Sequence, residues 1–340
     1  MQDTKKITEQ KYREVKGTVR MLVRAREDFQ SMRKRMDNRI GRKANGESQN
    51  PDTLPERSFS VEDGLMFSEI ADEANKQEME VEKKLKGVLE RLPIYEWLKA
   101  RKGIGTIAIG HIVGAYDIYK ASTVSKLWQY GGMNPGMIHG KKRVAIDKYK
   151  SSMGKVLKEY TDANGKATEY LVLTDKMIRG DRLTPGFVSP FNKELKTALL
   201  GVMADGFIKA GFRWEPCMEE EFEGLPESHR SRRDKKINGK KEKDVPCRLD
   251  ISCPYCQMYF DYKLRLANEK ATVMEVQKKG EGARPVEWCA AKPAHRDRAA
   301  KRYMVKMFLA DLYAAWRPLH GLNVRPPYKN EYLGKRHAAS

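Results

Sequence analysis

The residues of this chain best suited to chemistry lie around a Gly-x-Gly turn. Lys99, Arg101 and Lys102 precede Gly103-Ile104-Gly105, and Thr106 opens an apolar, helix-like stretch behind it. Both glycines are read as giving the turn φ > 0 and a close backbone approach to a bound group. Ile104 plugs the gap between the flanking helices. The N–H groups that open the second helix at Thr106 favour an anion. This is the pattern of a helix-hairpin-helix, and its chemistry is capture of phosphates. The bland alternative is a tight αα-corner. Lys141-Lys142-Arg143 and the pair Arg302 and Lys306 supply further cations. The candidate nucleic-acid contacts are therefore Lys102, Gly103, Ile104, Gly105, Thr106, Lys141, Lys142, Arg143, Arg302 and Lys306.

Bond-breaking chemistry has less to work with. A serine recombinase needs an activated hydroxyl beside clustered cations, and only Ser151 and Ser152 stand in a basic context. His139 has the right type for a base or phosphate ligand, but a single surface histidine is more often neither. Metal-dependent phosphoryl transfer needs convergent carboxylates, whereas Asp147, Asp175 and Asp181 read as scattered surface or turn acids. Cys247, Cys253 and Cys256 follow C-x5-C-x2-C, with Cys217, His229, Cys289 and His295 available as a fourth ligand. Zinc needs four ligands and only one pair is well spaced, so zinc is the minority reading and no cofactor is expected. The Cys253–Cys256 pair also lacks the βαβ surroundings of a thioredoxin-like dithiol. No catalytic residue is assigned.

Composition names the partner more firmly than the chemistry. Lysine and arginine number 66 against 46 aspartates and glutamates, a formal charge of +20 in 340 residues. Such an excess attracts polyanions, and DNA is the first candidate. No apolar run reaches the roughly 20 residues of a spanning helix, and the N-terminus lacks a signal peptide's apolar core. Five cysteines fit a reducing, cytoplasmic compartment, nucleoid-associated in a prokaryote.

The elements that must position these residues are mostly helical. Residues 7–40 read as one long helix with a heptad seam at Tyr12, Val15, Val19, Leu22, Phe29, Met32 and Met36, interrupted by Arg26. After a polar loop, Ser60 caps a second helix with the stripe Val61, Leu65, Ile70, Ala74, Val81, Leu85, Val88 and Leu92. The pair reads as an intrachain hairpin or as the interface of a homo-oligomer. Short helices follow on either side of the Gly-Ile-Gly turn and over Thr123–Tyr130. A strand-like hairpin over 156–160 and 169–173 turns at Asn164-Gly165. Helices resume over 191–208, 255–270 and 297–316. The charge-rich stretch 219–246 reads as a mobile loop, and 322–328 as an extended tail. The domains expected are a helical hairpin or coiled coil (1–92), a helix-hairpin-helix (93–132), a basic segment with a β-hairpin (133–190), a C-terminal helical domain carrying the charged loop (191–328) and a tail (329–340). The fold class is mainly α with a small inserted β-hairpin.

Gly103-Ile-Gly105 followed by Leu127-Trp-Gln-Tyr-Gly-Gly132 resembles the C-terminal domain of insertion-sequence transposases of the IS one-ten/one-sixteen group. Pro254-Tyr255 with Tyr259 and Lys263 is similar to that family's Pro-Tyr helix. Ala299, Arg302-Tyr303-Met304, Lys306 and Phe308-Leu309, ending at Trp316-Arg317, are similar to its final basic helix. The likeness covers residues 60–328. It implies DNA binding in transposition or recombination, and leaves a guide RNA open as a second partner. Two departures separate the chain from the family. Residues 1–92 show no alternating strands or acid set of an RNase H-like domain. Gly132-Met133-Asn134-Pro135 is followed by Gly136 to Gly140 with no serine where the family places its nucleophile. A non-catalytic accessory protein of transposase origin, or a coiled-coil assembly protein, are the alternatives.

Overall fold

The computed structural model describes residues 8–41, 61–237, 240–276 and 282–326. The expected cap at Ser60, the loop that precedes it and the tail from 329 lie outside these residues. The described chain is mainly α-helical with small antiparallel sheets. It divides into two compact units, residues 1–101 with 105–117, and residues 102–104 with 118–340. The helices on either side of the Gly-Ile-Gly turn thus belong with the N-terminal pair, and the division falls at Asp117/Ile118 rather than at 92/93 and 132/133.

The first unit is helical. α1 (Glu9–Ile40) begins where the Thr8 side chain accepts from Lys11 N–H at 3.3 Å. α2 (Val61–Leu89) runs antiparallel to it, as the contacts of Arg39 with Phe67 and of Arg33 with Glu78 require. The seam of α1 starts as predicted with Tyr12, Val15 and Val19 buried, then drifts to Val23. A straight helix of 3.6 residues per turn cannot hold a strict seven-residue repeat, so the buried line moves one position along. The line continues through Arg26 and Arg33 to the buried Asp37, while Met32 is exposed. Arg26 is therefore part of the seam. α2 answers with buried Ala71, Ala74, Glu78, Val81 and Leu85, and Leu65 and Ile70 are exposed instead. Buried Glu78 pairs with Arg26 and accepts from Arg33 Nε at 3.0 Å and from Gln30 at 3.4 Å. The seam is thus closed within one chain, with a polar layer in its distal half. α3 (Ile94–Lys99) and α4 (Thr106–Ala115) complete the unit. α4 buries Ala108, Ile109, Ile112 and Val113, and Tyr12 donates to the carbonyl of Tyr116 at 3.2 Å.

The second unit is built on α10 (Pro293–Leu319), which buries Ala300, Met304, Val305, Phe308, Leu312 and Trp316 along one side. Around it lie α5 (Val124–Tyr130), α6 (Lys193–Thr197), α7 (Ala204–Gly211) and α9 (Pro254–Ala267). Phe207 of α7, Tyr255 of α9 and Phe308 of α10 form an aromatic triad with centroids 4.8–5.5 Å apart. A π-helical stretch, Ala198–Met203, joins α6 to α7. At the far end of α10, buried Arg317 donates to the carbonyls of Ile118 and Ala121 at 3.1 and 2.8 Å.

Strand content exceeds the single expected hairpin. β1 (Met137–Ala145), β2 (Lys155–Thr161) and β3 (Ala167–Arg179) form a sheet in the order β1-β3-β2. The expected hairpin is its β2–β3 part, and the basic segment supplies β1. The stretch 219–246 is not a loop. It holds α8 (Glu219–Gly224), β5 (Arg230–Ile237) and most of β6 (Lys240–Ile251), which pairs with β5 and with β4 (Phe212–Pro216) in the order β4-β6-β5. High charge hid the alternation here. Val245 and Cys247 are buried, while Asp244, Arg248 and Asp250 on the alternate positions are exposed, with Pro246 between them. A small hairpin, β7 (Thr272–Val276) with β8 (Ala283–Glu287), was also not expected.

Candidate nucleic-acid interface

The five turn residues divide between the two units. Gly103 has φ +96°, as expected, but Gly105 has φ −90° and caps α4 in extended conformation. Gly103 lies so close to α7 that an added Cβ would stand 2.5 Å from the carbonyl oxygen of Gly206. Its lack of a side chain therefore serves packing against protein backbone. Ile104 is buried. Lys102 donates to the Ser252 hydroxyl at 2.9 Å, so its ammonium already has a partner. Thr106 is the first residue of α4, and its N-cap Gly105 offers no side-chain oxygen to the opening N–H groups.

Lys141, Lys142 and Arg143 lie on β1, where successive side chains point to opposite faces. Lys141 and Arg143 are exposed, and Arg143 stacks over Tyr160 at 4.6 Å and pairs with Glu169 at 3.7 Å. Lys142 turns to the other face and sits 4.7 Å over the Phe187 ring. The three consecutive cations thus cannot meet one ligand together.

Arg302 leads to a more concentrated site. Arg298, Arg302 and Lys306 follow i, i+4, i+8 spacing and form one stripe on α10. Lys306 lies 4.4 Å over Trp128, whose indole N–H donates to the Lys306 carbonyl at 2.9 Å. Arg298, Lys301 and Arg302 line an open groove of about 550 Å³ with Lys196 of α6 and Gly201 of the π stretch. Beside it Asp181, just past the end of β3, is buried. Arg179 grips this carboxylate with two bonds of 3.0 and 3.1 Å, and Arg302 Nη1 reaches it at 3.3 Å. Lys196 donates to the Asp181 carbonyl. Asp181 is therefore the organising acid of a cationic cluster and not the surface acid expected.

The sequence explains how Lys196 gets there. Gly132 has φ +70°, and a Cβ on it would come within 2.9 Å of both Lys196 and the Phe191 ring. A residue with a side chain would be strained there and would displace both. Asn192 caps α6 by accepting from Leu195 N–H at 3.0 Å, and its own N–H donates to the Tyr130 carbonyl at 2.9 Å. The Tyr130-Gly131-Gly132 motif thus sets the start of α6, and through it the position of Lys196.

The electrostatics are those of an incompletely neutralised site. Burial pushes the Asp181 carboxyl upward, but the Arg179 hydrogen bonds and the charges of Arg179, Arg302 and Lys196 outweigh it and hold it below the usual carboxylate range. Lys196 is held below the usual lysine range, first by burial and then by Arg302, Arg179 and Arg182, against the pull of Asp181. Buried Arg302 Nε has no hydrogen-bond partner. On the same helix, Lys301 is balanced by Asp205 at 3.0 Å and by Asp297, which also lines the groove, at 3.3 Å, and Asp297 accepts from the Tyr259 hydroxyl. This arrangement favours an anion near Lys196, Arg298 and Arg302.

The cysteines go elsewhere. Cys253 and Cys256 are buried at the start of α9 against Gly211, and burial pushes the Cys256 thiol up to about 12. Cys247 is buried in β6. Among the described residues, no three potential ligands converge on a metal position. No helix among them is long and apolar enough to cross a membrane.

Comparison with known proteins returns no matching family model, no matching curated protein and no matching solved structure.

Sequence reading missed Arg179, Lys196, Arg298 and Lys301 as members of this site. The basic stripe on α10 was a readable signal for Arg298. Arg179 and Lys196 come from segments whose convergence no local pattern announces.

Proposed function

We propose that the chain is a DNA-binding protein whose second unit seats backbone phosphates in the Lys196–Arg298–Arg302 groove. The observation that carries this reading is the convergence of Arg179, Arg302 and Lys196 on Asp181, with Arg298 beside them in the groove, so that cations outnumber the carboxylate they share. A phosphate would balance the excess of cations. The overall charge of +20 supports the same class of partner. The exposed Lys141 and Arg143 on β1 add a basic surface for the duplex. The resemblance to insertion-sequence transposases supplies the process, DNA transposition or recombination, with the chain as a binding component. Its missing nucleophilic serine favours the accessory role over independent catalysis.

Self-association through the N-terminal helices belongs to this proposal, by a surface other than the seam. Met21, Leu65 and Met66 are 74%, 61% and 48% exposed on the outer faces of the helical pair. Light scattering on the full chain should give a mass above that of one chain.

The test of DNA binding is titration of short duplexes of unrelated sequence with the parent and with Arg298→Ala/Arg302→Ala. Loss of affinity by the same factor on every sequence is expected, because phosphates carry no sequence information. Unchanged affinity would remove the groove from the interface. A strand-transfer assay with added Mg²⁺ separates the accessory role, which predicts no product, from an active recombinase.

A further inference from the structure

The β4-β6-β5 sheet carries a second basic surface, and an acidic helix of the same chain lies on it. α8 has the sequence Glu-Glu-Glu-Phe-Glu-Gly, with Glu219, Glu220 and Glu221 all in its first turn. Glu219 pairs with Arg232, and Glu221 accepts from Arg248 Nη1 at 2.9 Å. Arg230 donates to the carbonyls of Phe222 and Glu223 at 3.1 and 2.9 Å. The Phe222 ring lies under both Arg230 and Arg232, at 5.3 and 4.9 Å. Three arginines of one ribbon are thus met by carboxylates, carbonyls and a ring. These are the interactions that guanidinium groups make with phosphates and bases.

We propose that the Arg230–Arg232–Arg248 face of the β5–β6 ribbon is a second nucleic-acid-binding surface, which α8 occupies in the free chain as an internal stand-in for a phosphate backbone. This rests on the reading of the chain as a nucleic-acid-binding protein. The lock is built to open. Its side-chain ion pairs are exposed, at 39% and 50% for Arg232 and Glu219 and 49% and 42% for Arg248 and Glu221, and such pairs are weak in water. The helix has six residues, too few to persist alone, and its N-cap Met218 makes no side-chain cap. The favourable placement of three acids at a helix N-terminus explains why it forms at all while docked. A polyanion outcompetes it because each phosphate contact also releases condensed counterions, which the helix cannot do.

The test compares duplex DNA binding by the full parent chain, by Glu219→Gln/Glu221→Gln, and by Glu69→Gln/Glu80→Gln, which makes the same charge change on α2. Circular dichroism checks that each is folded. The α8 variant should bind about tenfold more tightly near 0.1 M salt, with a salt slope steeper by up to about two contacts' worth, or about −1.8. The α2 variant should gain much less. Adding Arg232→Ala/Arg248→Ala to the α8 variant should abolish the gain. Equal gains in the α8 and α2 variants, or a gain that survives loss of the arginines, would overturn the proposal while leaving DNA binding intact. No binding by the parent or by any variant would overturn both.

Discussion

Replacing Gly103 by alanine should damage folding far more than the same change at Gly105, although the two glycines look equivalent in the sequence. At Gly103 the new Cβ would lie 2.5 Å from the Gly206 carbonyl oxygen and 2.9 Å from the Phe207 Cα, both backbone-anchored. Neither neighbour can swing aside as a flexible side chain would. The residue also has φ +96°, where an L side chain costs about 1 kcal/mol or more. Overpacking of this kind adds about 1–3 kcal/mol, for a total of about 2–4 kcal/mol. A unit of this size shifts in Tm by roughly 3 °C per kcal/mol, so Gly103→Ala should melt about 6–12 °C below the parent. Gly206→Ala should fall in the same range, because its Cβ would stand 2.2 Å from the Gly103 carbonyl oxygen. At Gly105, φ is −90° and nothing lies within 4 Å of the added Cβ. Alanine there should cost about 1 kcal/mol or less, the penalty of a poorer N-cap. The assay is thermal unfolding of the three variants, followed by DNA titration below the lowest midpoint. Equal melting of Gly103→Ala and the parent would refute the close backbone contact. Strong loss of DNA binding by Gly105→Ala without loss of stability would restore the turn as the principal phosphate grip.

In the first unit, Glu78→Ala should destabilise by about 3–5 kcal/mol in urea unfolding, because it leaves Arg26 and Arg33 facing a buried gap, and a loss under 1 kcal/mol would show the polar layer to be incidental. A pH effect should come from His320, which burial holds below the usual histidine range. Its Nε2 accepts from the Trp316 indole at 3.2 Å and Nδ1 meets the Tyr119 hydroxyl at 3.0 Å, an arrangement of the neutral ring. A pKa lowered on folding gives stability that is full above the unfolded value, about 6.5, and is lost as pH falls through the folded value. Denaturant midpoints should therefore drop on acidification from neutral pH, and His320→Gln should flatten that drop. An unchanged pH profile in the variant would assign it to other groups.

Much of the helical framework was legible because long helices repeat. Tyr12, Val15 and Val19 announced α1, and Ala74, Val81 and Leu85 announced α2. The polar half of their seam was not legible. Arg26 and Glu78 look like breaks in an apolar stripe, and only the partner helix shows them to be opposite charges at one level, while Asp37 is held by Arg33 of its own helix. The β4-β6-β5 sheet was misread for a related reason. Arg230 to Lys236 carry no apolar residue to mark an inward face, and α8 meets Arg230 and Arg232 with carbonyls, a ring and a carboxylate instead of a hydrophobic layer. At the groove, Arg302 was legible from its basic helix. Asp181 was not, because burial of a carboxylate depends on guanidinium groups that the fold brings from Arg179 and Arg302. Gly132 carried the most information per residue. It marked a helix end in the sequence, and in the fold it opens the space through which Lys196 reaches the cluster.

The most direct test of the central claim is the salt dependence of duplex DNA affinity for the full chain and for Arg298→Ala/Arg302→Ala. Phosphate binding through the groove predicts a steep fall of log K with log salt in the parent, with a slope of about −0.9 for each phosphate contact. The variant should then give a slope shallower by up to about 1.8, with weaker binding at every salt concentration. A parent affinity that does not change with salt would contradict phosphate binding altogether, and identical slopes for parent and variant would contradict the groove as its seat.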